Sequence, residues 1–435
     1  MRRSTRKRRC DGRNVRSGLV VTVLIAICAA GSAAPRLRTG QEGERGEISL
    51  VTGRDLTGYL QNVLDEWNRR HPAEKVTLTE LPEAADDVHA QLVESLASGS
   101  SQFDVLNIDV AWTAEFAHHQ WIAPLNASEL PVEQLFPSVR ETAVYDNRLY
   151  AMPYVTNAGL LYYRRDVLAA EGLAPPRTWQ ELERQALEIA PAHGLDGYAA
   201  QLQPYEGLAV NVTEAVQSEG GRVLDPEGTR VLVDSAAGLR AFDRLRGGIR
   251  KGWIPRAALD YKEEESRQAF QSGRLLFMRN WPYAYAQASA PGSAVAGKIG
   301  IAPLPGIDGQ GVGVLGGSNL AVNANSRHPR TAADLLAYLT SERVQRRVLT
   351  EGALPPVWAS LYRDPELIRR FPYLPVLENS VRSAMARPRS PVYDQVSLAI
   401  AAVAHAALLD RGTSVQALAR LRRELEDILR SRESR

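Results

Sequence analysis

Acidic residues are plentiful in this 435-residue sequence, but the side chains that stand out by type and spacing are large rings and hydrogen-bonding groups suited to holding a ligand. Trp281, Tyr283 and Tyr285 stand in WPYAY, three large rings that each carry a polar atom. A rigid indole with an N–H suits the aliphatic face of a sugar or a base. The same rings would serve equally as core filler, since aromatic side chains are commonly buried for their area alone. Asp109 can accept from two hydroxyls, Asn157 can donate and accept, and Arg387 offers a planar fork of donors. Charge-assisted hydrogen bonds of this kind, with a ring to cover an apolar face, suit a ligand rich in hydroxyls.

Bond-making chemistry finds little support. The sequence contains no HExxH, GxSxG or P-loop pattern. His118 and His119 are adjacent, so their side chains point apart, and no third or fourth ligand stands at metal spacing. Gly311, Gly313 and Gly316 match a dinucleotide fingerprint only as letters. A Pro- and Gly-rich loop precedes them where a strand is needed, and β-branched residues follow where a helix should open. Gly316-Gly317-Ser318 reads instead as close approach of backbone to a ligand, with a flexible turn as the simpler alternative. Glycoside hydrolysis needs two carboxyls roughly 5 to 9 Å apart across the bond. The run Glu263-Glu264-Glu265 supplies carboxylates, but a charge run is usually a solvated face.

The rings need a scaffold, and the stretch 267–285 contains one. Ala269-Phe270 and the apolar run 275–278 are split by Ser272-Gly273, where a helix stops at a glycine and a short core strand begins. Pro282 cannot donate to a ladder, so the chain leaves the sheet there and the three rings arrive on a loop. Upstream, residues 47–52 alternate and turn at Gly53-Arg54-Asp55, after which Tyr59, Leu60, Val63, Leu64 and Trp67 recur at helical spacing until His71-Pro72. Residues 76–81 and 103–109 read as strands and 88–96 as a helix. Strand and helix alternate, which predicts a largely parallel sheet with helices on both faces. Ligands of such sheets bind beyond the carboxyl ends of strands, so Gly53-Arg54-Asp55 and Asp109-Val110-Ala111-Trp112 become candidate site loops. Asp109 would also suit the N-cap of a helix over 110–116. Thr178 and Glu181 form a capping box. Residues 298–304 and 312–323 read as strands, 329–340 as a helix, and the chain from Asp364 onward as mostly helical, with amphipathic stretches at 396–409 and 415–429.

The N-terminus carries Arg2, Arg3, Arg6, Lys7, Arg8, Arg9, Arg13 and Arg16, then an apolar run over 19–30, then Gly31-Ser32-Ala33-Ala34. This is the layout of an export signal over 1–34. The run is shorter than the about 20 apolar residues of a membrane span. A basic nucleic-acid arm would not explain the apolar segment. Cys10 and Cys28 are the only cysteines and both lie in the leader, so the exported part has no disulfide. The roughly 400 residues that remain are too long for one core and point to two domains. The formal net charge of +2 comes from the leader, and the rest is close to neutral or acidic, which argues against a nucleic-acid partner.

Across 47–430 the pattern resembles bacterial extracellular solute-binding proteins of family 1, the sugar receptors of ABC importers, and their trehalose/maltose-type branch in particular. The resemblance is carried by RQAFQSGRLLFMRNWPYAY at 267–285, SLVTGRDLTGYLQNVLDEWNRRHP, KVTLTELP, FDVLNIDVAWTAEFAHHQWIAPL, the group 149–163, and Arg387-Pro388-Arg389-Ser390-Pro391-Val392-Tyr393, which is similar to an R-P-x-S-P-x-Y element. It implies an α/β, two-lobed periplasmic-binding-protein-like fold with three hinge crossings near 157, 314 and 356. One lobe would comprise 47–157 and 315–355, the other 158–314 and 356–435. The implied ligand-binding set is Arg54, Asp55, Asp109, Asn157, Glu263, Trp281, Tyr283, Gly316, Gly317 and Arg387, with Tyr285 packing behind the other rings. Glu263 is chosen from its run because the family places an acidic side chain shortly before the aromatic loop. No catalytic residue, metal or cofactor is implied. Cys28 in Leu24-Ile25-Ala26-Ile27-Cys28-Ala29 resembles a lipobox cysteine, although Ile27 stands where that motif has a small residue, and cleavage near Ala33 or Ala34 is the alternative.

The expected protein is therefore the extracytoplasmic, monomeric substrate-binding subunit of a carbohydrate ABC importer, not an enzyme. Its partners would be a disaccharide or oligosaccharide, the transmembrane permease subunits and, through a lipid on Cys28, the outer face of the membrane. Its rivals are an exported glycoside hydrolase and a non-sugar receptor of the same architecture.

Overall fold

Gly159, set between two strands, is where the chain first passes from one sheet to another. The computed structural model describes residues 44–55, 57–82 and 84–433. The basic leader, Cys10 and Cys28 lie outside the described residues, and with them the expected export signal and lipid site.

Strands β1 (Ile48–Gly53), β2 (Val76–Leu81) and β3 (Val105–Asp109) run parallel. They are joined by the Tyr59–Arg70 and Ala85–Ala97 helices, and Tyr59, Leu60, Val63, Leu64 and Trp67 form the buried stripe of the first. A short hairpin of β4 (Val144–Tyr145) and β5 (Arg148–Leu149) turns on Asp146 and Asn147, both in the left-handed region at φ 48° and 58°, as a two-residue hairpin loop requires. Then come β6 (Ala151–Ala158), β7 (Leu160–Arg164), β8 (Asp196–Ala199), β9 (Leu275–Asn280), β10 (Ile299–Pro303) and β11 (Leu315–Val322).

The strands form two main sheets, ordered β2-β1-β3-β11-β6 and β10-β7-β9-β8. Each belongs to one lobe of a two-lobed α/β fold. The expectation of a largely parallel sheet is corrected, because β11 is antiparallel to both β3 and β6, and β7 is antiparallel to both β9 and β10. β6, β7 and β11 border the crossings, so their direction is imposed by the lobe the chain is entering and not by a βαβ repeat. The chain returns to the first sheet along 304–314, and leaves it again along 351–358, where Val155 pairs with Pro356. Of the final helices, Leu374–Ser383 packs on both β10 and β6, Tyr393–Leu408 packs on Glu206–Ser218, and Ser414–Glu433 packs on Ala236–Lys251.

All six residues of β9 are buried, which explains its unbroken apolar run before Arg279. The helix before it, Glu263–Gln271, ends at Gly273 with φ 80°, a conformation in which a side chain would be strained. Thr178 and Glu181 make the expected capping box at the start of Trp179–Ala192.

Candidate ligand-binding site

The carboxyl ends of β1, β3 and β9 and the crossing strands β6 and β11 meet at one cavity of about 630 Å³. All ten residues expected at the site line it. Arg54 and Asp55 follow β1, Asp109 ends β3, Asn157 lies on β6, and Gly316 and Gly317 lie on β11. Glu263 opens its helix, Trp281 and Tyr283 follow β9, and Arg387 comes from the segment between the Leu374–Ser383 and Tyr393–Leu408 helices. Two local expectations are corrected. Tyr285 belongs to a short helix, Ala284–Ala288, with Tyr283 at its N-cap position, because the turn after Pro282 closes into helical hydrogen bonds. Its ring packs on Tyr373 at 5.0 Å, away from the cavity lining. Asp109 is not the cap of a helix over 110–116: that helix is Thr113–His118, and the Asp109 carboxylate accepts from the Ala111 N–H two residues on (2.8 Å), a turn that competes with helix.

Trp281 is built in on three sides. Its N–H donates to Asn280 Oδ1 (2.7 Å) and its carbonyl accepts from the Tyr162 hydroxyl (2.7 Å). The Arg279 guanidinium lies over one face of the indole, 3.9 Å from the ring centroid. The ring edge abuts β11 so closely that a Cβ on Gly316 would sit 3.0 Å from it, and a Cβ on Gly317 (φ 115°) would collide with the Val155 carbonyl at 2.1 Å. Both glycines are demanded by close approach. The indole N–H points at Glu263 Oε1 (3.4 Å), whose other oxygen accepts from Tyr205 Oη (2.5 Å), while Tyr283 donates to Glu264 (2.8 Å). Burial, then the neighbouring Glu263 or Glu264 charge, pushes both phenols well above their usual pKa, so they remain donors. The glutamate run is thus not a solvated face: Glu263 and Glu264 are half-buried in the cavity wall, and Glu265 accepts from the Lys262 N–H.

The Arg387 side chain is only 3% exposed. It holds Asp109 Oδ1 at 2.5 Å through one nitrogen and Glu206 Oε1 at 2.5 Å through another. Asp109 belongs to the first sheet, whereas Glu206 opens a helix of the second lobe, so this ion pair spans the cleft. Glu206 also accepts from Tyr393 (3.0 Å) and Ser397. Burial raises its pKa, and the Arg387 charge opposes that rise. Arg387 Nε and Asn157 Oδ1 are buried with no protein partner. Asp55 is committed to local structure, accepting from the Leu60 and Thr57 N–H groups at 3.0 and 2.9 Å.

Sequence reasoning missed Glu206, Tyr205 and Lys262, which also line the cavity, with Lys262 5.1 Å over the Tyr205 ring. Their only signal was an acidic residue opening an apolar helix, which reads as ordinary dipole complementation. Among the described residues no group of three or more His, Cys, Asp or Glu could hold a metal ion, and no helix is long and apolar enough to cross a membrane.

This geometry has close parallels. A structure of maltose-bound T. maritima MalE3 superimposes with a TM-score of 0.82 at 32% identity, covering 88% of this chain and 99% of that one. A probable ABC transporter-binding protein of Deinococcus radiodurans is 35% identical over 84% of this chain and 89% of its own length. A probable amino-acid ABC transporter periplasmic-binding protein of Sinorhizobium fredii, y4oP, is 28% identical over 80% of this chain and 81% of its own. The sequence model of the bacterial extracellular solute-binding proteins matches residues 53–346, more than half of the chain, which therefore belongs to that family of ABC-transporter binding proteins.

Proposed function

We propose that this chain is the substrate-binding subunit of a carbohydrate ABC importer and that its ligand is an α-linked disaccharide of the trehalose/maltose type. The observation that carries the reading is Trp281, an indole backed by a buried cation and bordering a cavity also lined by Asp109, Asn157, Glu263 and Arg387. A ring face for the apolar side of a pyranose and charged groups for its hydroxyls are the two things such a ligand needs. The volume lies within the roughly 300–1,000 Å³ of small-molecule pockets. Residues of both lobes line the cavity, so sugar contacts are complete only when the lobes are together, and ligand shifts the hinge toward that form. The chain is a receptor without catalytic turnover, exported through its leader, anchored by a lipid on Cys28, monomeric, and read by its permease in the closed form.

The test is a thermal-shift screen of purified protein against mono- and disaccharides, with amino acids as a second arm because one relative is named for them. A ligand at a thousandfold its Kd stabilises by about 4 kcal/mol, a shift of several degrees. Maltose or trehalose is expected to give the largest shift. Stabilisation by amino acids alone, or by no sugar, would end the carbohydrate assignment.

A further inference from the structure

Beneath Trp281 lies a second arginine–carboxylate pair, neither member of which lines the cavity itself. Arg279 and Glu214 are 1% and 4% exposed, and the guanidinium forks onto the carboxylate through Nε (2.9 Å) and Nη2 (2.6 Å). Its remaining nitrogen donates to Gln201 Oε1 (3.2 Å), so the plane of the guanidinium is fixed from both sides. A buried pair is commonly no more stabilising than apolar residues of the same volume, so stability alone does not account for it.

Its neighbours suggest what it does. Glu214 Oε1 also accepts from the Val314 N–H (3.2 Å), in the segment by which the chain returns to the first sheet. On the other crossing, a Cβ at Gly159 would lie 2.5 Å from Glu214 Oε1 and 2.9 Å from Arg279 Nη2. Two hinge peptides therefore rest on the pair, and the pair in turn carries the indole, whose edge meets β11 again at Gly316. The contacts form one packed chain: hinge, carboxylate, guanidinium, ring.

We infer that Arg279 and Glu214 are positioning residues that couple stacking on Trp281 to the setting of the hinge. Bending at Gly159 or Val314 shifts the support under the ring, and a sugar that holds the ring favours one hinge setting in return. The inference rests on the stacking reading of Trp281 given above.

A double-mutant cycle tests it, with calorimetric Kd for maltose, or for trehalose if the screen favours it, and a thermal midpoint for every variant. Arg279→Lys keeps a charge opposite Glu214 but removes the flat stack, and is expected to weaken binding about tenfold. Gly159→Ala pushes the pair from the hinge side without entering the cavity, and is expected to weaken binding about fivefold. In a Trp281→Ala background both effects should shrink to less than about twofold. If each costs the same factor with and without Trp281, or lowers only the thermal midpoint, the coupling is overturned while stacking stands. If Trp281→Ala alone leaves affinity unchanged, the stacking reading fails and the coupling fails with it. Should Arg279→Lys not fold, the Gly159→Ala arm decides the question by itself.

Discussion

Two of the arginines buried near the cleft, Arg279 and Arg387, are paired in different ways. Arg279 faces one carboxylate, Glu214, so the pair is neutral, and both partners belong to the second lobe. Arg387 faces two, Asp109 and Glu206, and the members of that cluster come from both lobes. Burial works against the Arg387 charge, yet Asp109, Tyr393 and Glu206 more than offset it and hold the guanidinium charged. The difference teaches that one chemistry serves two mechanical ends. Both partners of the Arg279 pair sit in one lobe, so hinge movement shifts that pair without parting it, whereas opening the hinge would part Asp109 from Arg387 and expose both to water.

The contrast can be broken by unequal damage. Glu214→Leu leaves Arg279 buried without a counter-charge, for which about 3–5 kcal/mol of folding stability is the expected loss, read by chemical denaturation. A loss below about 1 kcal/mol would remove the distinction between fixed and movable pairs. Trp281→Ala should instead spare stability and weaken sugar binding at least tenfold, about 1.4 kcal/mol, by calorimetry. Equal affinity in the two proteins would exclude the ring from the site. Asp109→Asn retains the acceptor for Ala111 but discharges the cleft-spanning pair, so affinity should fall by about 1 kcal/mol with the unliganded thermal midpoint nearly unchanged. If the midpoint falls as far as in Glu214→Leu, Asp109–Arg387 is structural cement and not a closure contact.

What could be read before any fold was known follows from how local each signal is. The helix–glycine–strand–proline sequence that delivers Trp281 is punctuated within nineteen consecutive letters, and the structure keeps it. Asp109 and Arg387 were each legible as cleft residues, but their pairing joins positions 278 apart, and nothing in either neighbourhood announces it. Glu206 stayed hidden because a glutamate opening an apolar helix has a sufficient local explanation. The parallel sheet was misread for a related reason. Alternating strands and helices define β1 to β3, while the direction of β6, β7 and β11 depends on which lobe the chain is bound for, a long-range fact. Tyr285 is the ring expected to pack behind the other two, and the helical turn after Pro282 carries it onto Tyr373.

The smallest expected effect concerns the edge of the movable cluster. There His89, on the Ala85–Ala97 helix, meets Glu115 Oε2 at 2.7 Å within its own lobe and Asp394 Oδ1 at 3.4 Å across the cleft. Burial alone would lower the His89 pKa, but Glu115, Asp394 and Asp86 together raise it. Asp86, Asp394 and Glu206 are also raised, each chiefly by burial. Every one of these groups holds its proton more tightly in the native protein than in the unfolded chain. With more protons bound natively, stability falls as pH rises. For His89 the stabilisation is complete below its unfolded pKa of about 6.5 and is lost as pH climbs through the higher native value. The thermal midpoint should therefore be higher at about pH 6 than at about pH 8, and His89→Gln should flatten that slope by removing the histidine's titration. Sugar affinity should follow the same trend, because the Asp394 contact is made only when the lobes are together. Arg279→Lys leaves His89 and its partners Glu115 and Asp394 in place, so it should leave the slope intact. An unaltered slope in His89→Gln would remove His89 from the closure contacts and leave Arg387 as the charged link across the cleft.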